Sequence, residues 1–387
     1  MNHSLVDENR EVHAFHFHGK GSSFFMICLV NVLLSIITCG IFLPWAFVRS
    51  RRYIYENMEL NGARFDYHAK GSALFLSWLI ISIIIAILCF IEFTITHSEE
   101  IIFAPWVIML FFPCMAVKSL NYHAAMTSLN NVHFGFHCSM LRAWWVTLGM
   151  PILAVVLLLF VFSGWRLLLG EPSNLNALLI RVACGLIISA IVFAIINGIV
   201  YRNWIELFAK NTNFGIHKFN LTLNTSKCII ISLISLAIIV PFLLVIVKVL
   251  MASFNRILLG SLDGLGGLFT LTYLLYIVGL LISFAYAFAA LRNYAFNNLT
   301  LDNDIRFHSS ITFIGMAINL LLLTFGSLLT LGLAYPWLKI RFVRYQANHT
   351  TVSGHLDALE LTNDNRPLDT GIFARISRGA APTLPFF

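Results

Sequence analysis

The chain has 387 residues, of which 59% are hydrophobic and only 11% charged, and its mean hydropathy is +0.83. Soluble domains carry charge on roughly a quarter of their residues, so a soluble, disordered or fibrous chain is excluded and a membrane protein is expected. The net charge of +7 is assigned to loops facing anionic lipid, with no nucleic-acid partner expected.

Residues 1–21 are polar and carry Asp7, Glu8 and Glu11. No cleavable signal is read there, and the segment is expected to stay as a cytoplasmic N-terminal piece ahead of a membrane domain over residues 22–361. A span needs about 20 apolar residues to cross ~30 Å of hydrocarbon. Six stretches qualify or come close: residues 73–93, 101–117, 143–162, 177–200, 228–249 and 268–291. Two more, 22–45 and 311–337, are apolar but interrupted by Gly and Pro at matching places. Residues 362–387 form a polar tail without a legible pattern.

Basic residues orient the spans, because positive loops remain in the cytoplasm. Arg49, Arg51, Arg52, Arg64 and Lys70 follow the first stretch, Lys118 and Arg142 flank the next inner loop, and Arg202, Lys210, Lys218, Lys227, Arg292 and Arg306 mark two more. The opposite loops, near Glu99, Glu171 and Asp263, hold only Arg166 and Arg256. The seven cysteines fall in spans or on the inner side and offer neither a disulfide framework nor a CxxC pair.

Internal repeats carry more. Residues 38–53 align with residues 330–345 at seven of sixteen identical positions: Thr38/Thr330, Gly40/Gly332, Pro44/Pro336, Trp45/Trp337, Arg49/Arg341, Arg52/Arg344 and Tyr53/Tyr345. Pro, Trp, Arg and Tyr are not what apolar composition alone supplies. A second pattern, bulky apolar residues at i and i+2 followed by His, ends at His18, His68, His137, His217 and His308. Period two is a strand signal, and Asn61-Gly62 supplies a turn just before the second copy. Each copy precedes a hydrophobic excursion. Three of these are long enough for two crossings, whereas the first and last are not. Since both short excursions end in Arg clusters, residues 22–45 and 311–337 are read as broken or re-entrant hairpins, bending near residues 38–40 and between 326 and 332. Eight simple spans remain the alternative, at the cost of violating the positive-inside rule at one Arg-rich flank or the N-terminus.

The block Phe17-His18-Gly19, Asn31, Thr38-x-Gly40, Pro44-Trp45, Arg49, Arg52-Tyr53 and Asn61-Gly62, with its C-terminal counterpart at 330–345, resembles the bacterial YjgN-like family of integral membrane proteins. The resemblance runs to about residue 361. It implies a location in the bacterial inner membrane and carries no catalytic residues.

The five repeated histidines are expected to be structural rather than metal-binding, because no HExxH or Cys/His zinc spacing occurs. Arg49, Arg52, Arg341 and Arg344 stand in i, i+3 pairs, each on one helix face, and are candidate contacts for lipid or another anion, with Trp45 and Trp337 as interfacial anchors. Asn31, Thr38, Asn319 and Thr330 are the candidates for a polar path. With no phosphate loop, nucleophile elbow or paired carboxylates, no enzyme, cofactor or metal is expected. The fold class is then an all-α polytopic membrane protein of pseudo-repeated transmembrane hairpins with short cytoplasmic strand-like segments that pair into a small sheet. Two functions stay open: a transporter or channel for a small solute, and a non-transporting scaffold whose partners are membrane lipids. Protein partners are not legible.

Overall fold

The computed structural model describes residues 11–96, 103–169, 175–258, 264–302, 304–356, 361–364, 366 and 368–380. The chain runs as five successive units, each made of a strand, a helical excursion and a returning strand. In the first, β1 (Val12–Phe17) leads into α1 (Gly21–Ile37) and α2 (Leu43–Glu56) and returns as β2 (Met58–Leu60). The second is β3 (Ala63–Tyr67), α3 (Gly71–Thr96), α4 (Phe103–Ala125) and β4 (Thr127–Leu129). In the third, β5 (Val132–Phe136) precedes α5 (Met140–Trp144), which passes through a π-helical turn at Trp145–Gly149 into α6 (Met150–Leu169); α7 (Leu175–Asn211) then returns to β6 (Thr212–Phe214). The fourth is β7 (His217–Asn220), α8 (Thr225–Leu258), α9 (Leu265–Phe296) and β8 (Thr300–Leu301). The last comprises β9 (Ile305–Ser309), α10 (Phe313–Leu321), a π-helical turn at Leu322–Gly326, α11 (Ser327–Leu329), α12 (Tyr335–Asn348) and β10 (Thr350–Ser353).

The ten strands close into one antiparallel barrel in the order β1-β10-β9-β8-β7-β6-β5-β4-β3-β2. This corrects the expected fold class: the molecule is 71% helical, but its strand-like segments form a closed barrel rather than a small sheet, so it is not all-α. Closure leaves no sheet edge unpaired. Alternation fixes which face looks inward. In β1 and β3, Phe15, Phe17, Phe65 and Tyr67 are buried while His16, His18, Arg64 and Asp66 are exposed. Successive units are joined by tight turns. Asn61 and Gly62 take φ of +50° and +75°, and Asn130 and Asn131 take +51° and +62°, the left-handed pairs that suit two-residue hairpins.

Among the described residues six helices are long and apolar enough to cross a membrane, over Gly71–Ile95, Pro105–Ala125, Met140–Trp165, Cys184–Asn211, Thr225–Ser253 and Leu265–Phe296. They form three hairpins, each leaving the barrel and coming back to it. Their outward side chains, among them Ile83, Phe90, Leu159 and Leu244, are exposed and apolar, as lipid-facing residues must be.

The two shorter excursions share one geometry. α1 stops at Ile37, Cys39 and Gly40 take φ of +48° and +89°, and α2 restarts at Leu43. In the last unit α11 stops at Leu329, Leu331 and Gly332 take +51° and +88°, and α12 restarts at Tyr335. Thr38 Oγ1 donates to Leu34 O (2.7 Å) and accepts from Phe42 N (3.0 Å), and Thr330 Oγ1 does the same with Gly326 O (2.6 Å) and Ala334 N (3.0 Å). Each duplicated Thr thus satisfies backbone groups that a helix end leaves open.

The described part of the tail has a definite place. Asn363 accepts from His133 N (2.8 Å) beside the barrel, and α13 (Ile372–Ser377) packs on α3 and α4, where Ser119 Oγ donates to Arg378 O (2.9 Å) and Trp78 Nε1 to Gly379 O (3.1 Å). At the start of the sixth long helix Gly264 caps α9 with φ +76°, and Gly266 and Gly267 are already helical.

Candidate functional site

The barrel lumen is not filled. A cavity of about 890 Å³ occupies it and extends between α1, α2, α9 and α12. Its floor is built by repetition. Five cross-strand pairs, one per unit, turn into it: Phe15 with Leu60, Phe65 with Leu129, Phe134 with Phe214, Phe219 with Leu301, and Phe307 with Val352. Opposed aromatic and aliphatic side chains on one face stabilise such ladders by contact. Here they also leave the lumen lined with hydrocarbon.

The roof comes from α2 and α12. Aligned on their prolines, the two helices turn the same six positions to the cavity: Leu43, Phe47, Ser50, Arg51, Ile54 and Tyr55 from α2, and Tyr335, Lys339, Phe342, Val343, Gln346 and Ala347 from α12. Among the described residues three cations line it, Arg51, Lys339 and Arg292 of α9, and no Asp or Glu does.

Arg51 is only 6% exposed. Its guanidinium lies over the rings of Phe47, Tyr55 and Tyr67 at 5.2–5.7 Å and donates from one terminal nitrogen to Tyr67 Oη at 3.4 Å. Its Nε and other terminal nitrogen are buried without a protein acceptor. Tyr67 Oη is shared with His123 Nδ1 at 2.6 Å, and burial pushes the phenol up to about 12 despite the opposing pull of Arg51. The phenol therefore stays neutral and gives Arg51 no counter-charge. Arg292 donates to Thr350 Oγ1 (3.1 Å) and stacks on Phe296 at 4.5 Å, with its Nε also unpartnered. Lys339 sits 5.7 Å from the Phe342 ring, and burial pulls its ammonium below the usual lysine range. A buried charge is normally matched, as Glu206 is by Arg202 (3.2 Å) and Lys210 (2.9 Å). Among the described residues none of the three cavity cations is in a salt bridge with a carboxylate.

Of the residues marked in the sequence, Asn31, Gly332 and Pro336 line the cavity, and the others fall elsewhere. Arg52 donates to Tyr67 O and Ala69 O (both 3.1 Å), and its counterpart Arg344 donates to Gly19 O (2.7 Å). Arg49 and Arg341 are exposed, and neither lines the cavity. Trp45 covers Gly71 and Trp337 covers Gly21, so closely that a Cβ on either glycine would overlap the indole. Tyr53 and Tyr345 bond the backbone at Lys20 and Thr312, each with its hydroxyl. Arg52, Arg344, Trp45 and Trp337 are therefore clamps between units, while Tyr53 and Tyr345 close their own units. Of the four proposed path residues, Asn31 alone lines the cavity, donating to Ala46 O and Ser50 Oγ (both 3.1 Å). Asn319 bonds its own helix at Gly315 O (2.8 Å).

Four of the five histidines are exposed on the outside of the barrel, whereas His217, two residues before Phe219 in β7, is half-buried. His18 pairs with Glu59 (2.9 Å), His68 with Ser128 (3.1 Å), His137 with Asn213 (3.3 Å) and His217 with Asp302, while His308 is exposed. Among the described residues no three His, Cys, Asp or Glu side chains gather as a metal site. Two of the five copies are out of register. His217 opens β7 after a turn in which Gly215 has φ +54°, and the inward residue of that unit is Phe219. In β9, Phe307 takes the place of Phe15, so His308 aligns with His16 rather than His18.

Comparison with known sequences places the chain. Residues 12–370 match the family described as bacterial protein of unknown function (DUF898). The inner membrane protein YjgN of Salmonella typhimurium is 42% identical over the full length of both chains, and those of Escherichia coli O157:H7 and K12 are 38% and 37% identical over 97% of each. The chain belongs to this family. It is accordingly a multi-pass protein of the bacterial inner membrane. No solved structure matches it. The match to DUF898 covers all ten strands and the cavity roof, so barrel and lumen lie within the family's own span.

Proposed function

We propose that this DUF898 protein is a non-transporting lipid-binding protein of the inner membrane that holds the apolar chain of a membrane amphiphile in its barrel lumen. The carrying observation is the hydrocarbon lining of a cavity that opens among helices of a membrane domain. Pockets for small ligands are of this size and mostly apolar, and each methylene moved from water into such a lining contributes about 0.8 kcal/mol. A solute path has less support, because Thr38 and Thr330 are spent on capping helix breaks and Asn319 on its own helix.

The surplus of Lys and Arg on the barrel side supports placing the barrel and the tail in the cytoplasm. The left-handed pairs at Cys39-Gly40 and Leu331-Gly332 support two re-entrant hairpins whose tips enter the bilayer. Of the positions suited to labelling the far side, Ser98, Ser173 and Ser261 lie outside the described residues.

The test is lipid retention. Detergent-purified protein, exchanged extensively and then extracted with solvent, should yield about one lipid per chain. Filling the floor with Leu60→Trp and Leu129→Trp should lower that yield several-fold while the protein stays folded. A wild-type protein that washes free of lipid contradicts the reading.

A further inference from the structure

Resting on the lipid-binding reading, we infer that Arg51, assisted by Lys339 and Arg292, is the recognition site for a negatively charged headgroup, so that the bound amphiphile carries a phosphate or a carboxylate. Four observations carry this. The three cations reach one cavity from three different helices, α2, α12 and α9. Among the described residues no carboxylate lines that cavity. Arg51 is 94% removed from solvent, since its exposure is 6%, and two of its nitrogens have no protein acceptor. The surrounding surface is aromatic and aliphatic, which makes an unmatched charge there costly.

The protein supplies partial compensation only. Ring faces over Arg51 and Arg292 help hold a guanidinium, and Tyr67 offers one long hydrogen bond. A neutral or zwitterionic ligand would leave most of the charge unmatched. An anion with two oxygens in one plane meets the fork of Arg51 through two parallel hydrogen bonds. Its alkyl chain then has the five Phe-containing pairs of the floor to lie against. The sister position on α12 is Val343, so the fork is offered from one side of the roof and the point charge of Lys339 from the other.

The experiment uses delipidated full-length protein in detergent with three probes: phosphatidylglycerol, phosphatidylcholine and oleate, read by native mass spectrometry. Wild type should hold an anionic probe at least tenfold better than phosphatidylcholine, tenfold being about 1.4 kcal/mol. Phosphatidylglycerol outcompeting oleate assigns a phosphate headgroup, and the reverse assigns a carboxylate. Arg51→Gln should remove most of the preference and Arg51→Lys part of it, while Arg49→Gln, outside the cavity, should leave it intact. Where Arg51→Gln fails to fold, Lys339→Gln and Arg292→Gln should each reduce the preference. Equal retention of phosphatidylcholine and the anionic probes, or a preference unchanged in the cavity variants, overturns the anion site and leaves the lipid reading standing. Retention of no probe by wild type overturns both.

Discussion

The helices α2 and α12 are two versions of one part. Most of the residues identical between them and their lead-in segments build the frame: Thr38 and Thr330 cap the break, Gly40 and Gly332 take the left-handed turn, Trp45 and Trp337 close on a glycine, and Arg52 and Arg344 hold a carbonyl at a strand-to-helix junction. The six cavity-facing positions that the two helices share differ in every case, Arg51 against Val343 and Phe47 against Lys339 among them, while Gly332 and Pro336 of the repeated frame line the cavity in the last unit alone. In this molecule repetition marks what positions the site, and departure from repetition marks the site itself. The residues most conspicuous in the sequence were for that reason poor guides to the chemistry.

The comparison can be broken at the frame first, where effects should be largest. Gly40→Leu and Gly332→Leu place a β-carbon at φ near +90°, a strain of about 1–3 kcal/mol before any clash, and each should lower folded yield several-fold. Gly266→Leu, in open space, should be tolerated. Next, Gly71→Ala and Gly21→Ala should each cost about 1–3 kcal/mol by overpacking against Trp45 and Trp337, measured as loss of thermal stability in detergent. If only one of the pair is sensitive, the two clamps are not equivalent.

Arg52→Gln and Arg344→Gln should follow with roughly 1 kcal/mol each from lost charge-assisted hydrogen bonds, and lipid retention should not change. Arg49→Gln and Arg341→Gln, exposed and outside the clamps, should stay within about 0.5 kcal/mol. The smallest effect belongs to Lys339. Its ammonium is depressed from the ordinary 10.5, so in the window between its folded value and 10.5 the unfolded chain binds more protons and stability rises with pH. Delipidated wild type should show this rise, and Lys339→Met should lack it.

Much of the fold was legible, and the unreadable part has a physical reason. Long apolar runs announce the three helical hairpins. The period-two segments announce β1, β3 and β5, whose inward Phe and Tyr alternate with outward polar residues. Strands β2, β4, β6, β8 and β10 are two to four residues long and begin within four residues of a helix end, too short for any period to show. Their pairing is what closes the barrel. The copy ending at His217 misled because Gly215-Ile216 is a turn with the composition of a strand. The clamp residues are visible as a motif, with Arg52 and Arg344 as candidate lipid or anion contacts and Trp45 and Trp337 as interfacial anchors, but the partners the structure gives them lie in distant segments. Arg51 was hidden between Arg49 and Arg52. A signal was available: helical spacing places it with Phe47, Ile54 and Tyr55 on one apolar face, an unusual position for a charge.

The central claim is that the inside of the barrel touches lipid and the outside does not. A photo-crosslinking amino acid at Phe219, which lines the lumen, and another at the neighbouring Lys218, which faces out, separate the two faces by a single residue. After irradiation of cells, mass spectrometry of the purified protein should show a lipid adduct at position 219 and none at 218. Adducts at both positions, or at neither, would contradict the account.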